Sequence, residues 1–264
     1  MTGTSLDLIT MTHPAQPLPG PYDAAIIDLD GTLVDTLGDF VVAINAMLAD
    51  LPESVVAGVR LDASVISPMV GKGSENLIKK VLNRLEIHAG HAQTAINSEA
   101  LYEQAYARYQ HHYDAINGQH AQLYDGVLEG LEGLQAAGLT LVCLTNKPLV
   151  YARQLLKLKG LDGFFAEVFG GDSFERKKPD PLPLLKACEF LGTQPGRTLM
   201  IGDSSNDALA ARGAGCPVWL VTYGYNHGEP VRSVDADGFV DSLAGLALRL
   251  AGCQREKCVK KCVS

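Results

Sequence analysis

The first regular pattern in the chain is a short apolar run that gives way to helical periodicity. Residues 24–29 form a brief, mostly apolar segment of the kind that a central parallel strand shows. After it, apolar side chains recur at the i, i+3, i+4, i+7 spacing of one helix face: Leu37, Phe40, Val41, Ile44, Met47 and Leu48. The pattern predicts a buried strand followed by an amphipathic helix.

Two more helices are predicted before any further strand. The first begins near Ser74, which can cap it, and its apolar face consists of Leu77, Ile78, Val81, Leu82 and Leu85. The second covers roughly residues 98–115, with one side formed by Leu101, Tyr102, Ala105, Tyr106, Tyr109 and Tyr113. Because no strand pattern interrupts residues 37–117, this block is predicted to be all-helical, with its tyrosines serving mainly in packing.

From residue 124 onwards, strand patterns alternate with helix patterns. The predicted strands are 139–145, 166–171, 198–203, 217–221 and 238–241. The predicted helices are 125–138, 148–159, 181–191, roughly 204–214 and a last one from 243. This order is typical of βαβ units and predicts an α/β fold with a doubly wound, Rossmann-like parallel sheet. The helical block interrupts this core after its first strand.

Domain boundaries follow from these patterns. Residues 21–36 and 118–250 are predicted to form a discontinuous α/β core, and residues 37–117 a helical cap domain. The polar, Pro-rich residues 1–20 are predicted to be a flexible N-terminal segment, and residues 251–264 a cysteine-containing tail.

The six cysteines fall into two groups. Cys143, Cys188 and Cys216 lie in apolar or mixed segments, where cysteine behaves as a small core residue. The other three, Cys253, Cys258 and Cys262, are crowded near the C-terminus. Their spacing matches no recognisable zinc pattern and no histidine joins them, so a reduced, solvated tail is expected.

The charge balance narrows the possible partners. With 22 basic and 30 acidic residues the net charge is -8, which provides no domain-wide basic excess for nucleic-acid binding. No apolar run approaches the roughly 18 residues of a membrane-spanning helix, and residues 1–20 lack the features of a secretory signal. We therefore expect a cytoplasmic monomer or homodimer without nucleic-acid or membrane binding. The charge balance leaves room for a small anionic partner, which needs only one or two local cations.

Polar side chains lie at the end of four of the predicted strands or in the segment that follows. They are Asp28 and Asp30, Thr145 and Asn146, Lys177 and Lys178, and Asp203 with Asp207. Because the carboxyl ends of parallel strands meet at one edge of a sheet, these residues are expected to converge there. Four neighbouring carboxylates repel one another, and a hard divalent cation is the usual remedy. Mg²⁺ fits this set, since it commonly binds one or two carboxylates together with a substrate phosphate.

The same residues favour phosphoryl transfer. Thr145 and a lysine at 177 or 178 can donate to an anion beside the metal. A carboxylate can act as the nucleophile by forming an acyl phosphate. A second carboxylate two positions further along can protonate the leaving oxygen and later deprotonate water, so Asp28 and Asp30 form a suitable pair.

Three assignments have alternatives on the residues alone. Asp207 can ligate the metal or only stabilise the N-terminus of the helix that begins near Ser204. Lys72, between two glycines, can bind a second anionic group of the substrate or remain an exposed loop lysine. Of the lysine pair, Lys178 is expected to serve the site and Lys177 to be solvated.

Four sequence motifs resemble those of the haloacid dehalogenase superfamily of phosphatases. DLDGTLVDT (28–36), CLTN (143–146), KKPDP (177–181) and IGDSSND (201–207) occur in the order and spacing of that family, and the resemblance covers roughly residues 22–245.

The resemblance implies a role for each residue that matches a family motif. Asp28 corresponds to the nucleophile and a Mg²⁺ ligand, and Asp30 to the general acid and base, whose main-chain carbonyl also binds the metal. The other implied roles are phosphate or substrate binding by Thr145 and Asn146, charge compensation by Lys178, metal ligation by Asp203, and supporting or alternative ligation by Asp207. The helical insert corresponds to a mobile cap.

Within this superfamily the chain is similar to bacterial phosphoglycolate phosphatases. The similarity rests on VGKGSENLI in the cap, LTNKP, and GDSSNDALAARGAG. The chain departs from it at Thr36, where many relatives have serine, and in YDGV (124–127), where a proline often precedes the glycine. The resemblance implies magnesium-dependent hydrolysis of 2-phosphoglycolate, so the expected partner is a small phosphorylated metabolite. The alternatives are a phosphatase for sugar phosphates, nucleotides or pyrophosphate, a phosphomutase, and a non-catalytic binding module.

Overall fold

The structure is a computed structural model that describes residues 21–52, 58–89 and 99–251. Its strands are β1 Ala24–Ile27, β2 Val34–Asp35, β3 Gln122–Leu123, β4 Thr140–Leu144, β5 Glu167–Phe169, β6 Thr198–Gly202, β7 Val218–Val221 and β8 Gly238–Val240. Six of them form one parallel sheet in the order β5-β4-β1-β6-β7-β8. This arrangement confirms the predicted α/β fold class.

The position of β1 explains where the site forms. All four residues of β1 are buried, and the strand lies between β4 and β6, with Ile26 opposite Val142 on one side and Met200 on the other. The chain builds β4 and β5 outward on one side of β1 and then returns to build β6, β7 and β8 on the other. The crevice at the carboxyl ends of such a switch point is where open α/β sheets bind ligands.

Helices cover both faces of the sheet. The helices are α1 Leu37–Asp50, α2 Ala63–Ile66, α3 Ser74–Ala89, α4 Glu99–Ile116, α5 Val127–Ala136, α6 Leu149–Leu158, α7 Leu182–Leu191, α8 Ser205–Ala214 and α9 at 243–251. Because neighbouring residues of a strand point to opposite faces, Ile27 packs in the cluster that contains Leu131 of α5. Ile26 packs in the opposite cluster, which contains Leu184 of α7.

The inserted cap has a hydrophobic cluster of its own. This cluster runs from Phe40 of α1 to Tyr113 of α4 and includes Ile78 of α3. Within 37–117, the described residues form helices and turns, as the sequence pattern predicts. Ser74 is the first residue of α3, and its hydroxyl lies 3.3 Å from the Tyr106 hydroxyl. The structure places Gly73 rather than Ser74 at the capping position, because the Gly73 carbonyl accepts from the Leu77 N–H at 3.1 Å.

A two-stranded antiparallel ribbon joins the cap to the core. It pairs β2 with β3, with Val34 opposite Leu123 and Asp35 opposite Gln122. The ribbon carries the chain out of the core into α1 and back again after α4. The sequence pattern did not indicate it, because two residues are too few to reveal the alternation of a strand.

The remaining expectations concern the termini and the cysteines. Cys143, Cys188 and Cys216 are buried, as expected of small core residues. The N-terminal segment 1–20 and the tail cysteines Cys253, Cys258 and Cys262 lie outside the described residues. Of the helices in the part of the chain that the structure describes, none combines the length and apolarity that crossing a membrane requires.

A buried carboxylate fastens the base of the cap. Asp39, in the first turn of α1, is fully buried and accepts hydrogen bonds from the backbone N–H of Gly118, at 2.6 Å, and of His120, at 2.7 Å. These two N–H groups belong to the segment that leads from α4 back to β3. Asp39 therefore holds the two ends of the insert together, and unpaired buried N–H groups would be costly.

We expect Asp39→Asn to lower the free energy of unfolding by about 2 kcal/mol, because the amide has one acceptor oxygen for two N–H groups. Urea denaturation followed by circular dichroism measures the change. The control is Asp162→Asn, an exposed carboxylate before β5, which should change stability by less than about 0.5 kcal/mol. Equal stability of the two variants would contradict the assigned role of Asp39.

Candidate active site

Two carboxylates, Asp28 and Asp30, follow the end of β1, and the chain then turns sharply. The Asp28 N–H still bonds to the Ile201 carbonyl at 2.9 Å, so Asp28 is held by the sheet although the strand ends one residue earlier. Gly31 follows with a positive φ of 88°, and a Cβ at this position would lie 2.3 Å from Asp203 Oδ2. Glycine is therefore required at position 31 for both the backbone conformation and the close approach of Asp203.

Lys178 lies at the centre of the site. Its ammonium donates to Asp28 Oδ1 at 2.8 Å, to Asp207 Oδ1 at 2.7 Å and to the Leu144 carbonyl at 2.8 Å. All three N–H donors of the ammonium are thus in use. Burial alone would lower the pKa of Lys178, but the carboxylates of Asp207 and Asp28 outweigh it and raise the pKa above its ordinary value. Lys178 is therefore a fixed, charged bridge between β1 and α8.

Asp207 combines helix capping with the bond to Lys178. Its Oδ2 accepts from the backbone N–H of Ser204 at 3.1 Å and from the Ser204 hydroxyl at 2.8 Å, which completes a capping box at the start of α8. Both carboxylate oxygens therefore already have protein partners. These contacts stabilise the N-terminus of α8, which is one of the two interpretations of Asp207. The other interpretation, metal ligation by Asp207, stays a prediction.

Asp28, Asp203 and Asp207 form a buried acidic cluster, with carboxylate oxygens that lie within 4.8 Å of one another. Burial, opposed by Lys178 and reinforced by Asp207 and Asp30, raises the pKa of Asp28 to about 7. Burial together with Asp207 and Asp28 raises the pKa of Asp203 well above its usual range. The single ammonium of Lys178 does not balance three carboxylates, so negative charge in this cluster remains uncompensated.

The donor set of this cluster fits a divalent cation. Asp28 commits one oxygen to Lys178, and Asp203 commits its Oδ2 to the backbone N–H of Tyr225 at 2.6 Å. In the described structure the other oxygen of each carboxylate remains for a ligand. Carboxylate oxygens in this number and at this separation are the donors that a hard divalent cation takes, and its charge would offset the repulsion.

Asp30 contacts a second lysine that the sequence pattern did not single out. Lys147 Nζ lies 3.0 Å from Asp30 Oδ1 and 2.5 Å from the hydroxyl of Tyr113, which belongs to the cap. The Lys147 side chain is only 3% exposed. A signal was available, because Lys147 directly follows the strand-end pair Thr145 and Asn146, but the local sequence does not show which groups it reaches.

Thr145 and Asn146 differ in what they contact. Thr145 is buried at the wall of the cavity, and its hydroxyl accepts from the Lys147 backbone N–H at 3.2 Å. Asn146 donates to the Lys178 carbonyl at 2.8 Å and to the Gly71 carbonyl at 3.1 Å. Asn146 therefore ties a loop of the cap to the segment that carries Lys178.

The two remaining lysine predictions concern residues at the surface. Lys72 is exposed, and among the described residues it does not contribute to the wall of the cavity. Lys177 is half-buried and forms a 3.2 Å ion pair with Glu75 of the cap. The structure therefore brings Lys178 into the site and leaves Lys72 and Lys177 outside it.

The site is a cavity between the core and the cap. Core residues at the strand ends line its floor, and the cap supplies Phe40, Leu77, Tyr109 and Tyr113. Tyr109 and Tyr113 also belong to the hydrophobic cluster of the cap, which fits the expected packing role. The cap loop is held down by the core, since Asn206 donates to the Gly71 carbonyl at 3.0 Å and His227 Nδ1 lies 2.8 Å from the Val70 carbonyl.

A doubly wound sheet with a helical insert above a carboxylate cluster defines a capped α/β enzyme. Comparison with known proteins narrows this class. The haloacid dehalogenase-like hydrolase family matches residues 22–215. The chain is 44% identical to a phosphoglycolate phosphatase of Thiobacillus denitrificans over 87% of this chain and 96% of that protein. It is 40% identical to a plasmid-borne phosphoglycolate phosphatase of Cupriavidus necator over 86% of this chain and 92% of that protein.

A solved structure agrees with the sequence relatives. The crystal structure of a predicted phosphoglycolate phosphatase from Haemophilus somnus superposes with a TM-score of 0.77 at 31% identity, and the match covers 85% of this chain and 96% of that one. The chain belongs to the haloacid dehalogenase-like hydrolase family. The resemblance noted from the four motifs is thereby confirmed.

We expect Gly31→Ala to reduce turnover at least about 100-fold, because the new Cβ must displace Asp203. The control is Gly138→Ala: Gly138 has a similar φ of 83°, but a Cβ there meets nothing within 4 Å. That variant should lose about 1 kcal/mol of stability and keep its turnover. Steady-state assays with unfolding curves measure both. Similar turnover in the two variants would show that the approach of Asp203 to Gly31 does not matter.

A divalent cation should stabilise the fold through the acidic cluster. At ten times its Kd a cation that binds only the folded state adds about 1.4 kcal/mol, which raises Tm by about 4 °C in a chain of this size. Asp203→Asn should lose this increment and, because it removes a buried repelling charge, melt at a higher temperature than the native chain in EDTA.

Thermal melts in MgCl₂ and in EDTA measure both effects. The variant Asp162→Asn serves as the control and should keep the full increment. A cation-induced rise that persists in Asp203→Asn would place the cation elsewhere.

Proposed function

We propose that this phosphoric monoester hydrolase converts 2-phosphoglycolate to glycolate and phosphate, with Mg²⁺ as its cofactor and an aspartyl phosphate on Asp28 as the intermediate. The observation that carries the proposal is the environment of Asp28, which is held at the switch point of the sheet, 2.8 Å from Lys178 and beside Asp203. The proposed substrate rests on the relatives named phosphoglycolate phosphatase.

In the first step, an Asp28 oxygen attacks the phosphorus atom and the bond from phosphorus to the glycolate oxygen breaks. Lys178 compensates the charge on both the carboxylate and the incoming phosphoryl group, since its ammonium lies 2.8 Å from Asp28 Oδ1. The Thr145 hydroxyl at the cavity wall is available to donate to a phosphoryl oxygen. The acyl phosphate divides a difficult hydrolysis into two easier displacements.

Asp30 handles the protons of both steps. It lies two residues after the nucleophile and borders the same cavity. As an acid it protonates the departing glycolate oxygen, and as a base it then takes a proton from the water that attacks the acyl phosphate. The second attack breaks the bond between phosphorus and Asp28 and releases phosphate.

The metal and the cap complete the proposal. Asp28, Asp203 and the main-chain carbonyl of Asp30 would hold Mg²⁺, with Asp207 as a supporting group. Bound there, Mg²⁺ supplies positive charge that stabilises the transferring phosphoryl group. Phe40 and Tyr113 of the cap cover the leaving-group side and exclude bulk water from it.

We expect the purified chain to release phosphate from 2-phosphoglycolate faster than from sugar phosphates, nucleotides or pyrophosphate. Activity should disappear in EDTA and return with Mg²⁺. Asp28→Asn should lower kcat by at least about 1,000-fold, because the amide is not a nucleophile. Phosphate release measured across the panel, with Asp162→Asn as the control, tests all three expectations.

Each alternative outcome has a distinct meaning. Mg²⁺-dependent release that favours another ester would retain the mechanism and replace the substrate. Transfer of phosphate between positions of a sugar phosphate without release would identify a phosphomutase. Full activity in Asp28→Asn would overturn the aspartyl-phosphate mechanism.

A further inference from the structure

The cavity contains few basic groups that could meet a second anionic group of a substrate. Among the described residues, only Lys147, Lys178 and His227 bring a basic side chain to its wall. Lys178 has no donor to spare, because Asp28, Asp207 and the Leu144 carbonyl take all three of its N–H bonds.

The other two basic groups differ in charge and in free donors. His227 directs its Nδ1 to the Val70 carbonyl, and burial lowers its pKa, so it does not supply a cation at neutral pH. Lys147 uses two of its three N–H bonds, for Asp30 and the Tyr113 hydroxyl, and one donor remains among the described contacts. Lys147 is therefore the cation in the cavity that can accept a further partner.

The surroundings of Lys147 hold its ammonium in place. The nitrogen lies 4.9 Å from the ring centre of Tyr113 and 5.2 Å from that of Phe40, at distances where aromatic faces attract a cation. These rings belong to the cap, whereas Lys147 follows β4 of the core. The binding position therefore requires both domains.

We propose that Lys147 binds the carboxylate of the substrate and thereby selects phosphate esters with a negative group close to the leaving oxygen. This inference rests on the proposed function and names the group that recognises its substrate. Lys147 contacts Asp30, which serves the leaving oxygen, so a group bound by Lys147 lies on the leaving-group side, a few bonds from phosphorus. A phosphate ester without a second anionic group would leave a buried ammonium donor without a partner, which disfavours binding of that ester.

Lys147 also replaces the candidate that the sequence suggested for this task. Lys72 lies on a glycine-flanked loop of the cap, but it is exposed and lies outside the cavity wall. Substitution of each lysine in turn therefore compares the two candidates directly.

The test compares 2-phosphoglycolate with ethyl phosphate, in which a methyl group replaces the carboxylate. We expect Lys147→Met to reduce kcat/KM for 2-phosphoglycolate at least about 10-fold more than for ethyl phosphate, mainly through KM. Lys147→Arg should keep more of the preference than Lys147→Met, because it keeps the charge. Lys72→Met should leave the ratio of the two substrates within about twofold of the native chain.

Binding in the Asp28→Asn background gives a second measurement, because chemistry is blocked there. Calorimetry should show that adding Lys147→Met raises the Kd of 2-phosphoglycolate at least about 10-fold more than that of ethyl phosphate. Circular dichroism and the melting temperature verify that each variant is folded. Binding remains informative even if Lys147→Met loses turnover through its contact with Asp30.

Equal losses of kcat/KM and of affinity for both ligands in Lys147→Met would overturn the inference and assign Lys147 to the positioning of Asp30. A selective loss in Lys72→Met but not in Lys147→Met would overturn it in favour of the cap loop. If the native chain prefers another ester, the proposed substrate fails. The Kd values of the two ligands still test the inference in that case. A selective effect of Lys147→Met on the Kd of 2-phosphoglycolate would support the role of Lys147, and equal effects on both Kd values would refute it.

Discussion

The ammonium of Lys178 is the interaction on which the site depends. It joins the end of β1 through Asp28, the end of β4 through the Leu144 carbonyl and the start of α8 through Asp207. A lysine that is 3% exposed would be costly without such partners, and the carboxylates would repel one another without the lysine. The charges are therefore mutually necessary, and together they set the relative positions of three elements at the edge of the sheet.

Close backbone approach makes this concentration of charge possible. A Cβ at Gly202 would lie 2.3 Å from the Asp207 carboxyl carbon, and one at Gly224 would lie 2.2 Å from the Asp203 Cβ. The backbone is packed so tightly around the carboxylates that their side chains have little freedom to separate. Burial and the neighbouring carboxylates raise the pKa of both Asp28 and Asp203. The negative charge gathered in this small space is the physical reason for expecting a cation.

The core and the cap contribute different kinds of groups to the site. The core supplies Asp28 and Asp203 directly after β1 and β6, which are rigid mounts. It supplies Asp207 from the first turn of α8 and Lys178 from the segment between β5 and α7. The cap supplies aromatic side chains and the Gly71 carbonyl, which accepts hydrogen bonds from Asn146 and Asn206 of the core. Because Lys147 of the core donates to the Tyr113 hydroxyl of the cap, the groups around Lys147 come from both domains.

The sequence by itself determined the alternation of strands and helices, the helical insert and the position of Asp28 directly after a strand. These features are local, because periodicity and the position of a residue after a strand can be read along the chain. Only the tertiary structure decided that Lys147 rather than Lys72 reaches the cavity, and that Asp207 bonds to both Ser204 and Lys178. Those contacts depend on where the tip of a long side chain meets residues far away in the chain, and Lys147 lies 117 positions from Asp30. No local pattern contains that distance, so packing alone determines it.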